Sequence, residues 1–389
     1  MIGASPHRYV VDGRASGRSD ELLVRALAQA RSVEVAGAPA IVTLRHLAAR
    51  MGVDYRYLRS VIANRSGDRY RDFSISKRGG GGRRIAVPEP TLMAVQRWIV
   101  REILRGRPVH PDSHAYAAGS SIVACARRHC MAGWLLKLDI HDFFESVPER
   151  SVYDVFRTIG YQPLVSFELA RLCTRPWVDP PQDRRAARTV SNHANRGIDL
   201  YRRELTGFLP QGAPTSPMLS NLACVGLDGR LSSLARSAGL TYTRYSDDLT
   251  FSGPPGTFDR SHAVAMVDGV RDVLRDHGFR MHERKISIVP PGGRKVVLGL
   301  LVDRDRPRLP GGLRQRLSDH VRGIEGFGIA AHAAERNFEA VTGMVNHIAG
   351  LLRFARDVEP AFADRLRVRF EAALARHGWG AAPESGSEP

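Results

Sequence analysis

The sequence predicts an α+β protein in which strands and helices mix without regular βαβ alternation. Three observations carry that expectation. WLLKLDI (134–140) is an apolar strand that ends in an acid. TYTRY (241–245) and LTFSG (249–253) are two short strands around a turn holding Ser246, Asp247 and Asp248. From about residue 312 to 377 the apolar spacing is that of helices. A chain of 389 residues can bury a large core and divide into two or three domains.

Taken in order, residues 1–18 are polar and Gly-rich and read as loose. Residues 20–31 (DELLVRALAQAR) read as a short amphipathic helix. Residues 43–63 read as helix, Gly turn, helix, which suits a helix-turn-helix DNA reader or, more simply, a helical hairpin packed on a larger domain. Residues 66–88 are basic and Gly-rich, with apolar residues at Phe73, Ile75, Ile85 and Val87. That pattern reads as two strands joined by RGGGGR (78–83). An amphipathic helix follows over 91–105. After the 134–140 strand the chain is helix-rich to about 174, then polar and rich in Pro and Arg over 175–208, as an inserted loop would be. Residues 257–277 read as a helix and KVVLGLLV (295–302) as one strand. The tail AAPESGSEP has the composition of a disordered segment.

No apolar run is long enough to cross a bilayer, and the N-terminus lacks the apolar stretch of a signal peptide, so the cytoplasm is the default location. The net charge of +17 and pI near 10.5 point to a polyanionic partner, of which nucleic acid is the commonest. Of 57 basic residues only four are Lys: Lys77, Lys137, Lys285 and Lys295. Lys can be tuned to give up a proton near neutral pH and Arg cannot, so each of the four merits attention. The four cysteines show no CxxC pair. Cys125, His129 and Cys130 lie close together, but structural zinc takes about four ligands and no second cluster completes the set. Free thiols are the expected state.

The chemistry is expected at the acids. Adjacent side chains on a strand point to opposite faces, so Asp247 and Asp248 cannot both enter a core cheaply. At a hairpin turn one can aim at a shared site while its neighbour supports it. Asp139 ends an apolar strand about a hundred residues earlier. If the strands are neighbours, Asp139 and Asp247 converge at one sheet edge. Such carboxylates suit Mg²⁺, and two such ions about 3.5–4 Å apart clamp the oxygens of phosphoryl transfer. A pair of acids in a turn is, by itself, more often merely solvated.

The sequence resembles the reverse transcriptases. RYSDDLTFSG (244–253) is similar to the family's Tyr-X-Asp-Asp hairpin, and LKLDIHDFFESV (136–147) to its first catalytic-acid motif. GFLPQGAPTSPMLSNLAC (207–224) is similar to the nucleotide-binding loop and following helix. Residues 70–99 resemble the fingers segment, and HGFRMHERKISIV (277–289) and VLGLLVDRDRPRLP (297–310) the last palm motifs. Order and spacing agree over roughly residues 43–310. LPQGAPTSP, SDDLTFS and the helical N-terminus look most like the bacterial retron-type enzymes. Two elements depart from that pattern. Cys125-Ala126-Arg127-Arg128-His129 stands where retron enzymes have Asn-Ala-X-X-His, and Val297-Leu298-Gly299 where they have Val-Thr-Gly. Both concern recognition of the retron's own RNA and structural contacts, not the chemistry.

The resemblance implies a right-hand polymerase. A helical extension would occupy 1–65, fingers 66–133, a palm with an antiparallel sheet 134–310 (fingers-like insertion about 150–208), a helical thumb 311–378 and a tail 379–389. It implies RNA-directed DNA synthesis with two Mg²⁺ ions, or Mn²⁺, held by Asp139, Asp247 and Asp248. Phe144, five residues after Asp139, corresponds to an aromatic gate that would collide with a ribose 2′-hydroxyl. Gln211 corresponds to a residue that contacts the incoming nucleotide, and Gly212 would let the backbone approach it. Arg83 would grip the triphosphate through its forked donors, with Lys77 adding a point charge. Lys285 corresponds to a late-palm Lys that protonates departing pyrophosphate. Arg184, Arg185, Arg188 and Arg196 of the insertion and Arg353, Arg365, Arg367 and Arg369 near the C-terminus would track the backbone of an RNA–DNA hybrid. The implied partners are an RNA template, deoxynucleoside triphosphates, a structured retron noncoding RNA and an effector protein, in anti-phage defence, with no membrane. The alternatives are a related defence-associated or group II intron-like enzyme, untemplated synthesis, or a catalytically silent RNA-binding palm protein.

Overall fold

The computed structural model describes residues 6–63, 68–76, 82–177, 207–254, 256 and 258–379. The chain divides into two compact units, one of residues 1–120, 136–251 and 259–287, the other of 121–135, 252–258 and 288–389. The second unit's core joins apolar side chains from two of its stretches, among them Val123 and Leu135 from 121–135 and Val297 and Leu317 from 288–389.

In the first unit the stretch expected to be loose contains a helix, α1 (Pro6–Ala15). Gly13 sits against Leu23 of α2 (Asp20–Val35), so helix–helix contact outweighs weak local propensity here. Ser19 caps α2 by accepting from the Leu22 amide. The helix–turn–helix expected at 43–63 is α3 (Leu44–Met51) and α4 (Tyr55–Ile62), broken by left-handed Gly52. The apolar face of α4, Leu58 and Ile62, is buried, as in a hairpin packed on a larger body. Next come β1 (Tyr70–Ser76) and β2 (Gly82–Pro88), antiparallel with Phe73 opposite Ile85 and Ser76 opposite Gly82. Phe73 and Ile75 are about half exposed at 43% and 52%, so this ribbon projects from the core rather than joining it. Helix α5 (Pro90–Ile99) follows and ends in a π-helical turn, Val100–Leu104.

Two short strands, β4 (Arg175–Pro176) and β5 (Gly207–Phe208), pair antiparallel, and a four-stranded sheet has the order β6-β7-β3-β8, where β3 is Trp134–Asp139, β6 Thr241–Tyr245, β7 Asp248–Gly253 and β8 Ser287–Val289. An interior place explains why β3 is nearly all apolar, with only Lys137 half-buried on its length. Only Ser246 and Asp247 lie between β6 and β7, which therefore form a tight antiparallel hairpin. Around the sheet lie helices Glu149–Ile159, Pro163–Cys173, Ser216–Ala223, Val225–Ser237 and Arg260–Asp276.

The second unit carries the short helix Ile122–Arg127 and the longer run Gly311–Phe327, Ile329–Glu335, Val341–Val358 and Pro360–Arg376, with a core that includes Leu317, Ile324, Met344, Ile348, Leu366 and Phe370. The run KVVLGLLV is not one strand. It folds back as β9 (Val296–Val297) and β10 (Leu300–Leu301). Leu298 (φ 48°) and Gly299 (φ 82°) both take the left-handed conformation that a two-residue hairpin turn of this hand demands. Among the described residues no helix is long and apolar enough to cross a membrane. The arginines expected to track a duplex from 184–196, and most of the expected tail, lie outside the described residues.

Candidate active site

The end of β3 and the β6–β7 turn meet through the backbone. The Ile140 amide donates to the Asp247 carbonyl at 2.9 Å, and the His282 amide to the Asp139 carbonyl at 2.8 Å. Asp139 is 6% exposed, and its Oδ2 accepts from Lys285 Nζ at 2.6 Å. Burial pushes the Asp248 carboxyl up to about 6, and the negative charges of Asp247 and Asp139 push the same way, while Lys137 and Lys285 pull it down. Five charged groups from β3, the hairpin turn and the 283–285 turn thus share one electrostatic neighbourhood. Among the described residues no three His, Cys, Asp or Glu side chains stand as a ready-made metal cluster. Lys285 occupies the Asp139 carboxylate instead.

The turn rests on a buried polar layer. Arg244 is fully buried. Its Nε and one terminal nitrogen donate to the two carboxylate oxygens of Asp228 at 2.8 and 2.7 Å. Its remaining donors reach Asn221 Oδ1, Ser113 Oγ and the Ser246 carbonyl. The Tyr242 hydroxyl also donates to Asp228. Burial disfavours the guanidinium charge, but the charge and hydrogen bonds of Asp228 more than offset this and raise its pKa. Segment 112–116 lies alongside: the Arg244 amide donates to the Asp112 carbonyl and the His114 amide to the Arg244 carbonyl, both at 2.8 Å. Ser246, carried over this layer, takes φ 60°, uncommon for a residue with a side chain.

The aromatic pair after Asp139 divides its work. Phe143 is buried, stacked on Phe279 at 5.9 Å and lying under Arg244. Phe144 is half-buried, with the Tyr116 ring at 6.2 Å. The Tyr116 hydroxyl donates to Ser246 Oγ at 2.8 Å.

Gln211 and Gly212 meet β2. The Ala86 amide donates to the Gln211 carbonyl at 2.7 Å. A Cβ on Gly212 would fall 2.7 Å from Ile85 Cγ2 and 2.9 Å from the Ala86 carbonyl oxygen, and φ there is 114°. In this structure the strand of the ribbon requires glycine at 212. Arg83 is exposed on β2 opposite Ile75, and its charge reaches the Tyr116 phenol. Lys77 lies outside the described residues.

Of the two departures from the retron pattern, Cys125 is buried and Leu298, at the β9–β10 turn, is half-buried. Cys125 and the nearby His129 are 1% and 0% exposed, and His129 Nδ1 sits 2.7 Å from Ser252 Oγ. Neither of these two side chains therefore presents a surface to solvent. Arg353, Arg365, Arg367 and Arg369 do face solvent, but Arg367 pairs with Glu371 and Arg369 with Glu325. Sequence reasoning missed Tyr116, Asp228, Asn221 and Arg244: the burial of the last three, and the contacts of half-exposed Tyr116 with Ser246 and Phe144, come only from the fold.

Residues 75–302 match the family described as reverse transcriptase (RNA-dependent DNA polymerase). The retron Mx162 reverse transcriptase of Myxococcus xanthus is 36% identical over 66% of this chain and 52% of that protein. The retron Mx65 reverse transcriptase of the same organism is 33% identical over 86% of this chain and 72% of that protein. The retron Ec86 reverse transcriptase of Escherichia coli is 29% identical over 69% of this chain and 74% of that protein. The matched region thus spans about half the length of the first of these relatives and nearly three quarters of the other two.

Proposed function

Because the chain belongs to the reverse transcriptase (RNA-dependent DNA polymerase) family, among its retron-type members, we propose that it copies a structured noncoding RNA into DNA at the acids of the β3 end and the β6–β7 turn. The observation that carries the reading is the backbone bond between Ile140 and Asp247, which brings two distant acid motifs to the same end of neighbouring interior strands. In the hand-like layout of such polymerases the sheet is the palm, the β1–β2 ribbon belongs to the fingers, and the C-terminal helices form the thumb.

Asp139, Asp247 and Asp248 would hold two Mg²⁺ ions, with Mn²⁺ as a substitute. The donor set fits: three hard-oxygen ligands in one electrostatic neighbourhood, where burial first and the charges of Asp247 and Asp139 next raise the proton affinity of Asp248, a strain that divalent cations would relieve. When bound, the ions supply activation of the primer 3′-hydroxyl and neutralisation of the leaving pyrophosphate.

The chain's own residues do the rest. Phe144 closes the space where a ribose 2′-hydroxyl would project, so deoxynucleotides enter and ribonucleotides do not. Arg83, on the ribbon, grips the triphosphate, and Lys77 adds a point charge. Gln211 borders the incoming nucleotide from a loop stitched to the same ribbon. Lys285 leaves Asp139 when the site fills and gives its proton to the departing pyrophosphate. Arg244 stays below, holding the turn to the helix that carries Asp228. A role in phage defence accords with the retron kinship.

The test is primer extension by the purified protein on its cognate RNA with Mg²⁺ and deoxynucleotides, with Asp247→Asn as control. RNA-templated product from the parent and none from the variant is expected. No product from the parent rejects the reading.

A further inference from the structure

We propose that Tyr116 is a second determinant of sugar selectivity, a strut that holds the Phe144 ring and the Ser246–Asp247 turn in fixed relation. This rests on the reading of Phe144 as the gate.

Three independent observations converge on the residue. First, Tyr116 makes two different contacts to two different parts of the site. Its hydroxyl donates to Ser246 Oγ at 2.8 Å, and its ring lies 6.2 Å from that of Phe144 at an interplanar angle of 43°. Second, its backbone is held in a left-handed conformation, φ 63°. An aromatic residue adopts this only where the surroundings impose it. Third, those surroundings are rigid. The preceding carbonyl, Ala115, accepts from Asn221 Nδ2 at 2.6 Å, and Asn221 is itself bound to buried Arg244. The His114 amide donates to the Arg244 carbonyl. The strut is thus footed on the buried layer that also supports the acid turn.

Despite this anchoring Tyr116 is 44% exposed, so one face of the ring is open to whatever enters beside Phe144. A gate works by refusing to move when a 2′-hydroxyl presses on it. Phe144 is only half-buried; its aromatic neighbours are Phe143, 5.4 Å off, and Tyr116, 6.2 Å off. Without Tyr116 the Phe144 ring can swing aside and admit a ribonucleotide. The hydroxyl acts separately, fixing Ser246 and so the direction of the adjoining Asp247.

The experiment is steady-state incorporation of one deoxynucleotide or its ribonucleotide counterpart on a primed RNA template, with kcat and KM measured for the parent, Tyr116→Phe, Tyr116→Ala and Phe144→Ala. For Tyr116→Ala the deoxy-over-ribo ratio of kcat/KM should fall by at least about tenfold, chiefly through a lower KM for the ribonucleotide. Tyr116→Phe keeps the ring and should hold that ratio within about threefold while lowering kcat for both sugars. If Tyr116→Ala does not fold, Tyr116→Leu, which fills volume without a flat ring, should show the same loss of selectivity. Equal losses for both sugars in the Ala or Leu variant, beside a relaxed Phe144→Ala, overturn the strut and leave the gate standing. An unchanged ratio in Phe144→Ala removes the gate and the strut together.

Discussion

Lys285 Nζ lies 2.6 Å from Asp139 Oδ2, joining two side chains 146 positions apart in sequence. The ammonium is about half exposed and the carboxylate almost fully buried, at 48% and 9% of their side-chain surfaces. Such a half-exposed pair adds little to stability, about 1 kcal/mol or less. Its interest is chemical, because it keeps a proton donor beside the acids.

Replacement of Lys285 by Gln should therefore lower the single-turnover rate of deoxynucleotide addition by roughly 10²-fold. Nucleotide affinity should change much less, and the melting temperature hardly at all. Rapid-quench kinetics checks this. A parent-like rate for Lys285→Gln would reduce the pair to a surface contact.

The Arg244–Asp228 pair should behave in the opposite way, as a matter of folding first. Both side chains are 0% exposed. Asp228→Ala would leave a guanidinium buried without its counter-charge, which costs about 3–5 kcal/mol. Tyr242 would lose its acceptor in the same step. Urea denaturation should show a midpoint well below that of the parent, whereas loss of activity at an unaltered midpoint would mean that the pair acts on the turn alone.

Glu168 should make stability depend on pH. It is 6% exposed, and burial pushes its carboxyl up to about 7, against a smaller downward pull from Arg59. An unfolded Glu titrates near 4.3, so the unfolded chain releases this proton first. Below that pH the group is neutral in both states and contributes nothing. As pH rises toward 7 the folded form is progressively penalised, by up to about 3 kcal/mol above 7. Glu168→Gln should thus stabilise the protein at pH 8 and leave it unchanged at pH 4. Thermal melts at both pH values give the comparison; equal shifts at the two would show that ionisation of Glu168 is not the cause.

Much of the site could be read from sequence because its acids sit in runs of unmistakable character. An apolar strand that stops at Asp139 and two short strands around Asp247 are local patterns, and the sheet turns them into neighbours. The supporting layer could not be read in the same way. Arg244 alternates with Tyr and Thr in β6, where a period of two suggests a solvent-facing charge, yet Tyr242, Thr243 and Arg244 are all buried. Asp228 looks like an ordinary helix-surface acid until its helix is packed against that strand. Tyr116 stands in AYAAGSS, a stretch with no period at all. The hairpin inside KVVLGLLV was hidden because Leu298 is a poor turn residue by local preference, and the half-buried packing of its side chain on the apolar core accompanies the strained conformation. The need for glycine at 212 was legible, but its cause was not, since the close approach comes from Ile85 and Ala86, more than a hundred residues upstream.

That last contact sets how the ribbon can travel. With the Ala86 amide fastened to the Gln211 carbonyl, and no room for a Cβ between the two backbones, β2 and the loop before the Ser216 helix are clasped like a drawer and its runner. The ladder runs from its Tyr70–Pro88 root out to the Ser76–Gly82 pair, and the stretch near Ala86 is pinned close to the root. Any bending of the ribbon must therefore take place on the outer side of Ala86, while the inner part stays fixed to the Gln211 loop.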